Sequence, residues 1–388
     1  MHHIVPIAPI GIAVFAVSAA FLAYSLVGYP LLLGLIGRLN PKPVRKRDES
    51  RAVSVILPVR DGESWIAAKL DSLLSLRYPR DRMEIIVVSD GSEDRTDEIV
   101  ARYAPLGVHG LRIARGGKAA ALNHAFKHAH GEILFFTDVR QPLDADCLRH
   151  LVSCFAEAEV GVVTGELIIL DGDTQAEVNV GLYWRFEKWI RRQLNRAGTL
   201  LVVTGCIYAM RRELVRPLPE GTLIDDAVLP AAALLEGRRI VFEERARAFD
   251  YPTALDVEFR RKARTLAGLF QLARVYPALL NPFKRIGFHF LSYKFSRLLL
   301  PYALLGLAAG SLGFPGPWRW YLLAAQAAFY ALAVVDPVVP ETWKLKRISS
   351  IVRTFATLML ASLAAAAVLF VPPERLWGQT QTRPPRDP

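Results

Sequence analysis

The sequence predicts an α/β nucleotide-binding domain joined to helical membrane segments. The 388-residue chain is 52% hydrophobic and has a mean hydropathy of +0.24, which is too apolar for an ordinary soluble protein. The apolar excess lies at the two ends, while the region between them alternates short β-branched runs with helical periods. In that region acidic or glycine-rich turns follow the predicted strands, which is where open α/β sheets bind ligands.

The N-terminal 37 residues predict a transmembrane helix. No Asp, Glu, Lys or Arg precedes Arg38, and the apolar stretch 7–36 exceeds the ~20 residues that cross a bilayer. A cleaved signal peptide is disfavoured, because the segment has no basic start and is longer than the ~7–15 apolar residues of such a peptide. The segment is followed by a dense basic run that consists of Lys42, Arg45, Lys46, Arg47 and Arg51.

Further apolar segments near the C-terminus predict more membrane spans, at residues 298–314, 318–338 and 354–371. Basic residues flank these segments unequally, and the positive-inside rule then places the region between the first and second spans in the cytoplasm. An integral protein of the plasma (inner) membrane is therefore expected, with its central domain in the cytoplasm and both termini extracytoplasmic. The expected divisions are 1–37, 38–265 for the cytoplasmic domain, 266–297 for interfacial amphipathic helices, 298–371 for three transmembrane helices and 372–388 for a polar tail.

The charge balance and the cysteines exclude two other classes of protein. A formal net charge of +11 could suggest nucleic acid, but much of the basic excess lies beside the apolar segments, where it meets anionic lipid headgroups. No nucleic-acid partner is predicted, and membrane lipids are. The three cysteines, Cys147, Cys154 and Cys206, form no C-x-x-C pair, so we expect reduced, partly buried thiols and no disulfide framework.

The middle region predicts strands and helices in alternation. The β-branched and apolar runs 53–57, 84–88 and 132–137 predict buried strands. Helical spacing of apolar residues, or an alanine-rich composition, predicts helices over 65–76, 96–103 and the stretch from 116 to 130. A strand, turn and helix repeated in this way predict a doubly wound parallel sheet.

The turns after the predicted strands indicate a nucleoside diphosphate site without a common phosphate-binding fingerprint. Neither G-x-G-x-x-G after the first strand nor the P-loop pattern G-x-x-x-x-G-K-[ST] is present. Instead, Asp90 follows the second strand, Gly116-Gly117-Lys118 precedes a helix, and Asp138 follows a later strand. A helix N-terminus with two glycines and a lysine is suited to an anion, and carboxylates are suited to ribose hydroxyls and a divalent ion.

Seven segments in a fixed order carry a resemblance to a known family. They are PVRDGE at 58–63, SDGSEDRT at 89–96, GGKAAALNHAF at 116–126, TDVRQPLDAD at 137–146, TGCIYAMRREL at 204–214, IDDAVL at 224–229 and RRKART at 260–265. Together they resemble the motifs of the family 2 glycosyltransferases, and the layout is similar to that of the membrane-integrated cellulose, hyaluronan and poly-N-acetylglucosamine synthases. The resemblance implies a GT-A, Rossmann-like nucleotide-sugar-binding domain with α-helical transmembrane segments.

The resemblance also implies an activity. A family member of this kind is an inverting glycosyltransferase that moves a sugar from a UDP-sugar to a glycan or lipid-linked acceptor at the membrane. Its product would be an extracellular polysaccharide or a glycolipid. Four spans are few for a channel built by one chain, so a partner subunit or a homo-oligomer is expected to contribute.

The family's roles fall on particular residues of this chain. Asp61 and Asp90 would contact uracil and ribose, and Lys118 and Asn123 would lie near the diphosphate. Asp226 would be the catalytic base, with its neighbour Asp225 as the alternative. The other implied substrate-binding residues are Pro58, Arg60, Gly117, Asp138, Arg140, Gly205, Arg261 and Arg264.

The chain departs from the family pattern at the D-x-D segment. Asp138 keeps the first carboxylate and would be the metal ligand, but Arg140 stands at the second. Either Asp138 and the diphosphate still hold Mg²⁺ or Mn²⁺, with water completing the shell, or Arg140 supplies positive charge to the leaving group. We favour the retained metal.

A second departure lies in RRKART, which stands in the place of Q-x-x-R-W. Arg261 and Thr265 replace the glutamine and the tryptophan, and Arg264 keeps the arginine. The tryptophan lines the acceptor site in the polymer-forming relatives, so its loss disfavours repeated addition. The two departures also leave an alternative function: a catalytically impaired family member that acts as a membrane-bound nucleotide-sugar sensor or an assembly subunit.

Overall fold

The computed structural model describes residues 7–170, 175–250, 255–340 and 342–371. The polar tail expected at 372–388 lies outside the described residues. Two structural units are present within them: a sheet covered by helices on both faces, and a set of apolar helices formed by the two ends of the chain. The three cysteines are buried free thiols, as predicted.

A seven-stranded mixed sheet forms the centre of the domain, in the order β3-β2-β1-β4-β6-β5-β7. Strands β1 to β4 are parallel to one another, and β5 is parallel to β7. The strand β6, however, runs antiparallel to both of its neighbours, β4 and β5. The strands are Val53–Val59 (β1), Met83–Asp90 (β2), Val108–Ile113 (β3), Ile133–Phe136 (β4), Val160–Ile169 (β5), Tyr208–Arg211 (β6) and Arg239–Asp250 (β7).

The strands predicted at 53–57, 84–88 and 132–137 are thus confirmed and run parallel to one another as expected, whereas β6, in the second half of the sheet, runs antiparallel. The reversed strand, Tyr208–Arg211, has only four residues and is almost entirely buried. A buried run of this length has no polar face or alternation that would indicate its direction. The mixed α/β sheet is nevertheless the predicted class of fold.

Helices connect the strands and cover both faces of the sheet. The helices of the domain are Glu63–Leu74 (α3), Thr96–Arg102 (α4), Gly117–Phe126 (α5), Cys147–Ser153 (α6), Gln175–Arg196 (α7), Asp225–Leu235 (α8) and Leu255–Val275 (α9). Helix α5 ends four residues earlier than the predicted limit at residue 130. Alternate residues of β1 face different cores: Ile56 packs with α5, α7 and α8, whereas Val55 and Leu57 pack with α3 and α6. Both faces of the sheet are therefore buried, as its continuous apolar strands predict.

Three helical segments of the described chain are long and apolar enough to cross a membrane: Ala8–Leu39, Gly316–Val338 and Lys344–Leu369. The first consists of Ile7–Ala23 (α1), a π-helical turn and Tyr29–Leu39 (α2), and the other two contain Gly316–Val335 (α12) and Lys344–Ala365 (α13). The second expected span, 298–314, corresponds to the shorter 16-residue helix Ser296–Ser311 (α11). Helix Arg285–His289 (α10) and a π-helical turn, Phe290–Phe295, lead directly into α11.

Helices α1 and α11 pack closely in opposite directions. A Cβ atom on Gly11 would lie 2.7 Å from Gly313 Cα, so both positions require glycine. At the other end of the pair, the Tyr24 and Ser292 hydroxyl groups are 2.7 Å apart and form a hydrogen bond. Small residues permit this close approach, as they do in helix pairs within membranes.

Candidate active site

The ends of β1 and β2 are tied together by the Asp61 segment. Asp61 has a φ of +48°, the left-handed region that non-glycine residues rarely adopt. Its backbone N–H donates to Ser92 Oγ over 3.1 Å, and its carboxylate Oδ1 accepts from the Glu93 N–H over 2.9 Å. Arg60 Nε lies 3.4 Å from the other carboxylate oxygen of Asp61. Two of the predicted substrate-binding residues, Arg60 and Asp61, therefore lie side by side at the carboxyl end of the sheet.

Asp90 binds the turn that begins α5. Its buried carboxylate accepts hydrogen bonds from the N–H groups of Gly116, over 2.7 Å, and Gly117, over 2.9 Å. Gly117 has a φ of +83°, which explains the need for glycine at this position. The anion cradle expected at the start of α5 thus already has two of its N–H groups bonded to a carboxylate of the protein itself. Asp90 positions the following residue, Lys118.

Lys118 joins two carboxylates from separate parts of the chain. Its ammonium Nζ lies 3.0 Å from Asp138 Oδ1 and 3.2 Å from Asp225 Oδ2. Burial disfavours the charged forms of Lys118 and Asp138. The ion pair between them has the larger effect, so the pKa of Lys118 is raised and the pKa of Asp138 is lowered. The lysine side chain remains 39% exposed, so a ligand can reach it. Four predicted site residues, Asp90, Lys118, Asp138 and Asp225, therefore meet at this edge.

Asp226 differs from the neighbouring Asp225 in its surroundings. Burial, followed by the charge of Asp225, raises the pKa of Asp226 to about 6. Asp225 is bound by Lys118, whereas no hydrogen bond or ion pair to the Asp226 carboxylate occurs among the described residues. A Cβ atom on Gly205 would lie 3.1 Å from Asp226 Oδ2, so glycine leaves the space beside this carboxylate open. Of the two aspartates, Asp226 has the properties expected of a general base.

Arg140 has a different partner from those considered from the sequence. Its guanidinium binds Asp250 at the end of β7, and Gln141 Nε2 donates to the same carboxylate over 2.9 Å. The positive charge of Arg140 is therefore largely neutralised by Asp250. In this conformation Arg140 holds the segment after Asp138 against β7.

The other predicted binding residues take varied positions. Pro58 lies in β1 opposite Val88. Asn123 is fully engaged with the backbone of Leu218, since its amide donates to the carbonyl over 2.9 Å and accepts from the N–H over 2.8 Å. The charge of Arg264 is near enough to lower the pKa of both Asp138 and Asp226. Arg261 lies one helical turn earlier, and its carbonyl accepts from the Thr265 hydroxyl over 2.9 Å.

Two residues beneath the site were missed by sequence analysis. Lys69 is 2% exposed, and its Nζ donates to Thr137 Oγ1 over 2.7 Å and to the Gln141 carbonyl over 2.6 Å. It therefore holds both ends of the segment that carries Asp138. Burial lowers the pKa of Lys69 to about 8. The sequence contained one indication of this role, because Lys69 lies next to Leu70 on the apolar side of an amphipathic helix.

Tyr208 is the second missed residue. Its ring stacks on Phe136 with centroids 4.4 Å apart, and the side chain is fully buried. Among the residues that the structure describes, none forms a hydrogen bond with the hydroxyl, although the charges of Asp225, Asp226 and Asp138 reach it. Buried hydroxyl groups nearly always have a partner, so this one indicates a place where a bound water or substrate group completes the site.

The site fits a divalent ion that a diphosphate helps to hold. Among the described residues, no three His, Cys, Asp or Glu side chains form a metal-binding group by themselves. However, Asp138 and Asp225 both bind the ammonium of Lys118, and the Asp138 side chain remains 37% exposed. Magnesium and manganese commonly bind one or two carboxylates together with substrate phosphates, and Asp138 is the accessible carboxylate here.

Residues 54–218 match the model of glycosyl transferase family 2, a range that contains Asp61, Asp90, Lys118 and Asp138 and ends before Asp225 and Asp226. The mixed seven-stranded sheet is the GT-A arrangement. Over about two-fifths of its length the chain is therefore similar to glycosyl transferase family 2, in agreement with the five of its seven motifs that lie within the matched residues.

Relatives of known sequence or structure support this assignment. The chain is similar to a mannosyltransferase from Pyrobaculum calidifontis whose structure contains GDP-Man and Mn²⁺: the TM-score is 0.70 at 25% identity, over 92% of this chain and 99% of that one. It is 25% identical over 244 residues to a probable glycosyltransferase of Bacillus subtilis, which is 59% of this chain and 57% of the relative. It is also 29% identical over 150 residues to a beta-monoglucosyldiacylglycerol synthase of Trichormus variabilis, which is 36% of this chain and 32% of the relative. The chain thus spans about a third to just over half of these curated relatives.

Proposed function

We propose that the protein is an inverting glycosyltransferase that moves a sugar from a nucleoside diphosphate sugar to an acceptor hydroxyl at a membrane. The observation that carries the proposal is the environment of Asp226: a partly buried carboxylate whose pKa is raised to about 6, beside an open space at Gly205. Lys118 and Asp138 lie on the donor side of it. The three apolar helices support a location at the membrane.

The reaction follows from these positions. Asp226 accepts the proton of the acceptor hydroxyl, and the hydroxyl oxygen forms a bond to the anomeric carbon from the face opposite the diphosphate. The bond between the anomeric carbon and the diphosphate oxygen breaks, and its electron pair leaves with the nucleotide. Lys118 and Arg264 stabilise the negative charge that develops on the leaving diphosphate. Asp138 would hold Mg²⁺ or Mn²⁺, which would supply further positive charge to the diphosphate.

The donor is proposed to be a UDP-sugar, as the family resemblance implies. The Pyrobaculum relative was solved with GDP-Man, so a GDP-sugar is the second donor class to test. A glycolipid or polysaccharide product suits the relatives that are named as a beta-monoglucosyldiacylglycerol synthase and a poly-beta-1,6-N-acetyl-D-glucosamine synthase. We place the catalytic domain on the cytoplasmic side of the plasma (inner) membrane.

The alternative of an impaired sensor or assembly subunit is less well supported. A decayed site is expected to lose its charged residues or their geometry. Here Asp226 retains a raised pKa, and Lys118 joins Asp138 and Asp225 within 3.2 Å. These contacts favour a working enzyme.

Release of UDP or GDP from purified protein in native-lipid membranes tests the proposal, over a panel of UDP- and GDP-sugars. We expect release with at least one donor and a loss of about 10²–10⁴-fold in Asp226→Asn, since a general base contributes that much. Asp81→Asn is the matched control, because Asp81 is an exposed aspartate in a turn before β2. No release with any donor, or equal release from wild type and Asp226→Asn, would contradict the proposal.

A further inference from the structure

The loop that leads into α8 is held by side chains. Residues 215–224 form this loop, and α8 begins directly after it with Asp225 and Asp226. Among the backbone hydrogen bonds between described residues, none is donated by an N–H group of 216–224. The loop contains Pro219, which has no N–H group, and Gly221, whose φ is +67°. Its conformation therefore depends on groups from other parts of the chain.

Two carboxamide side chains supply these groups in the same way. Asn123 of α5 donates from Nδ2 to the Leu218 carbonyl over 2.9 Å, and its Oδ1 accepts from the Leu218 N–H over 2.8 Å. Gln271 of α9 donates from Nε2 to the Gly221 carbonyl over 3.0 Å, and its Oε1 accepts from the Leu223 N–H over 2.9 Å. Each amide thus uses both its nitrogen and its oxygen on the loop backbone. We call Asn123 and Gln271 the amide clamp.

A close contact beside the clamp holds α9 against the start of α8. A Cβ atom on Gly268 would lie 2.5 Å from Ile224 Cγ1, so α9 packs directly on the residue that precedes Asp225. Gly268 and Gln271 follow Arg264 by four and seven residues, and all three therefore share one face of α9. The face of α9 that carries Arg264 is also the face that binds the loop.

The clamp joins the three helices that carry the charges of the active site. Asn123 lies on α5 with Lys118, Gln271 lies on α9 with Arg264, and the loop between them leads to Asp226 on α8. The positive charges of Lys118 and Arg264 both reach the Asp226 carboxylate. A shift of the loop would consequently move Asp226 relative to both cations.

We propose that Asn123 and Gln271 are positioning residues for the transfer reaction, because they hold the loop 218–223 and so fix Asp226 relative to Lys118 and Arg264. This inference rests on the proposed function. It gives Asn123 a role on the side of the base, instead of the place near the diphosphate that the family resemblance implies. The base, the acceptor hydroxyl and the leaving group must be aligned, and a misplacement of about 1 Å can cost about a hundredfold in rate.

Hydrogen exchange of the full-length protein in neutral detergent micelles tests the clamp without a sugar donor. Asn123→Leu and Gln271→Met replace each amide by an apolar side chain of similar shape. We expect residues 218–223 to exchange about tenfold faster in each variant than in the wild type. Asn195→Leu is the matched control, because Asn195 of α7 makes the same pair of hydrogen bonds with the backbone of Phe242 on β7. It should leave the exchange of the loop unchanged.

The rate of nucleotide release over a range of donor concentrations tests the positioning. In Asn123→Leu and Gln271→Met, kcat should fall about ten- to a hundredfold, while the KM for the donor stays within about twofold of the wild type. Asn195→Leu should keep the wild-type kcat, although its thermal midpoint falls as far as those of the clamp variants. The double variant should lose less than the product of the two single losses, since both amides hold one loop.

Several results would overturn the inference. Loop exchange at the wild-type rate in both clamp variants would show that the amides do not hold the loop. Equal losses of kcat in Asn195→Leu and the clamp variants would indicate a general effect of lowered stability. A raised donor KM with an unchanged kcat in Asn123→Leu would return Asn123 to the diphosphate. If these variants do not fold, Asn123→Ala and Gln271→Ala, with Asn195→Ala as control, give the same tests.

Failure of the proposed function is distinguishable from failure of the clamp. A wild type that releases no nucleotide with any donor, but whose loop exchanges faster in both clamp variants, would contradict the proposed function alone. A wild type that releases nucleotide, with clamp variants that keep its kcat, would contradict the positioning role alone.

Discussion

At the residue scale, the two adjacent aspartates at the start of α8 have different chemical states because they have different neighbours. Asp225 has the Lys118 ammonium at 3.2 Å, whereas the Asp226 carboxylate has no such partner among the described residues, and desolvation and the negative charge of Asp225 raise its pKa. The pattern Asp-Asp in the sequence left both candidates open. The choice depends on which carboxylate the lysine reaches, and that contact joins residues more than a hundred positions apart.

The raised pKa of Asp226 predicts the pH dependence of transfer. A base acts when it is deprotonated, so activity should be full above about pH 7 and fall about tenfold per pH unit below about 6. Asp225→Asn removes the neighbouring negative charge and should move this fall to lower pH. The measurement is kcat/KM against pH for the wild type and Asp225→Asn. If the midpoint of the fall in kcat/KM is unchanged in Asp225→Asn, the negative charge of Asp225 does not raise the pKa of the catalytic base.

The unpartnered hydroxyl of Tyr208 predicts a separation of activity from stability. Tyr208→Phe removes a buried polar group without a protein partner, so the free energy of unfolding should stay the same or rise by about 1 kcal/mol. Transfer should fall about tenfold if the hydroxyl binds substrate. Thermal unfolding and initial rates give the two values. Tyr103→Phe, which loses a hydrogen bond to Asp71 on α3, is the control and should keep full activity.

Metal removal tests the use of Asp138. Its carboxylate is the accessible ligand for a divalent ion, while Arg140 is bound by Asp250 and has little charge to offer the leaving group. We therefore expect EDTA to reduce transfer at least a hundredfold and added Mn²⁺ or Mg²⁺ to restore it. Full activity after chelation would show that the protein's own cations suffice.

At the scale of elements, a buried lysine of α3 helps to hold the segment after β4, together with the contacts of Arg140 and Gln141 to Asp250. Lys69 binds Thr137 and Gln141, the residues on either side of Asp138 and Arg140. A folded-state pKa of about 8 lies below the ordinary lysine pKa of about 10.4, so the unfolded chain binds an extra proton between these values. Stability should consequently rise with pH across that window.

The prediction is a pH-dependent difference between the wild type and Lys69→Met. From pH 7.5 to pH 10, the wild type should gain on the order of 2–3 kcal/mol relative to the variant. Thermal unfolding in detergent at both pH values gives this difference. Lys127→Met, at the exposed end of α5, should show no such change. A constant difference between wild type and Lys69→Met would mean that the lysine keeps its ordinary pKa.

Sequence patterns predicted the elements of the first half of the sheet, because β1, β2 and β4 are continuous apolar runs that end in polar turns. They did not predict the direction of β6, since four buried residues contain no sign of direction. The motifs placed Lys118, Asp138 and Asp226 in one site. They did not indicate Lys69 or Tyr208, whose importance comes from contacts between distant segments and from the absence of a partner.

At the scale of the whole molecule, the packing of α1 against α11 bears on the number of membrane crossings. Gly11 contacts Gly313 at one end of the pair and Tyr24 binds Ser292 at the other, so α11 accompanies α1 along its whole length. Helix α1 has 17 residues and is about 25 Å long, close to the thickness of the hydrocarbon core. If α1 crosses the bilayer, α11 crosses with it despite its short apolar length.

Four crossings are therefore predicted, with both termini on the extracytoplasmic side. Reporter fusions that are active on only one side of the membrane should give the same result at the N-terminus and at the C-terminus. A fusion within the exposed turn at Arg80–Arg82, before β2, should report the opposite side. Termini on different sides would mean three crossings and a peripheral α11.

The catalytic domain is attached to the apolar helices by several short hydrogen bonds. Tyr29 binds His289 over 2.9 Å, Tyr293 binds Glu187 over 2.7 Å, and the Lys42 N–H donates to the Arg196 carbonyl over 2.7 Å. The last two bonds reach α7 and the first joins α2 to α10, so the domain cannot rise or tilt without breaking them. The attachment therefore fixes the distance between the active site and the lipid surface. Such an enzyme would accept only those hydroxyl groups that lie at one height above the lipid surface, whatever the sugar or lipid that carries them.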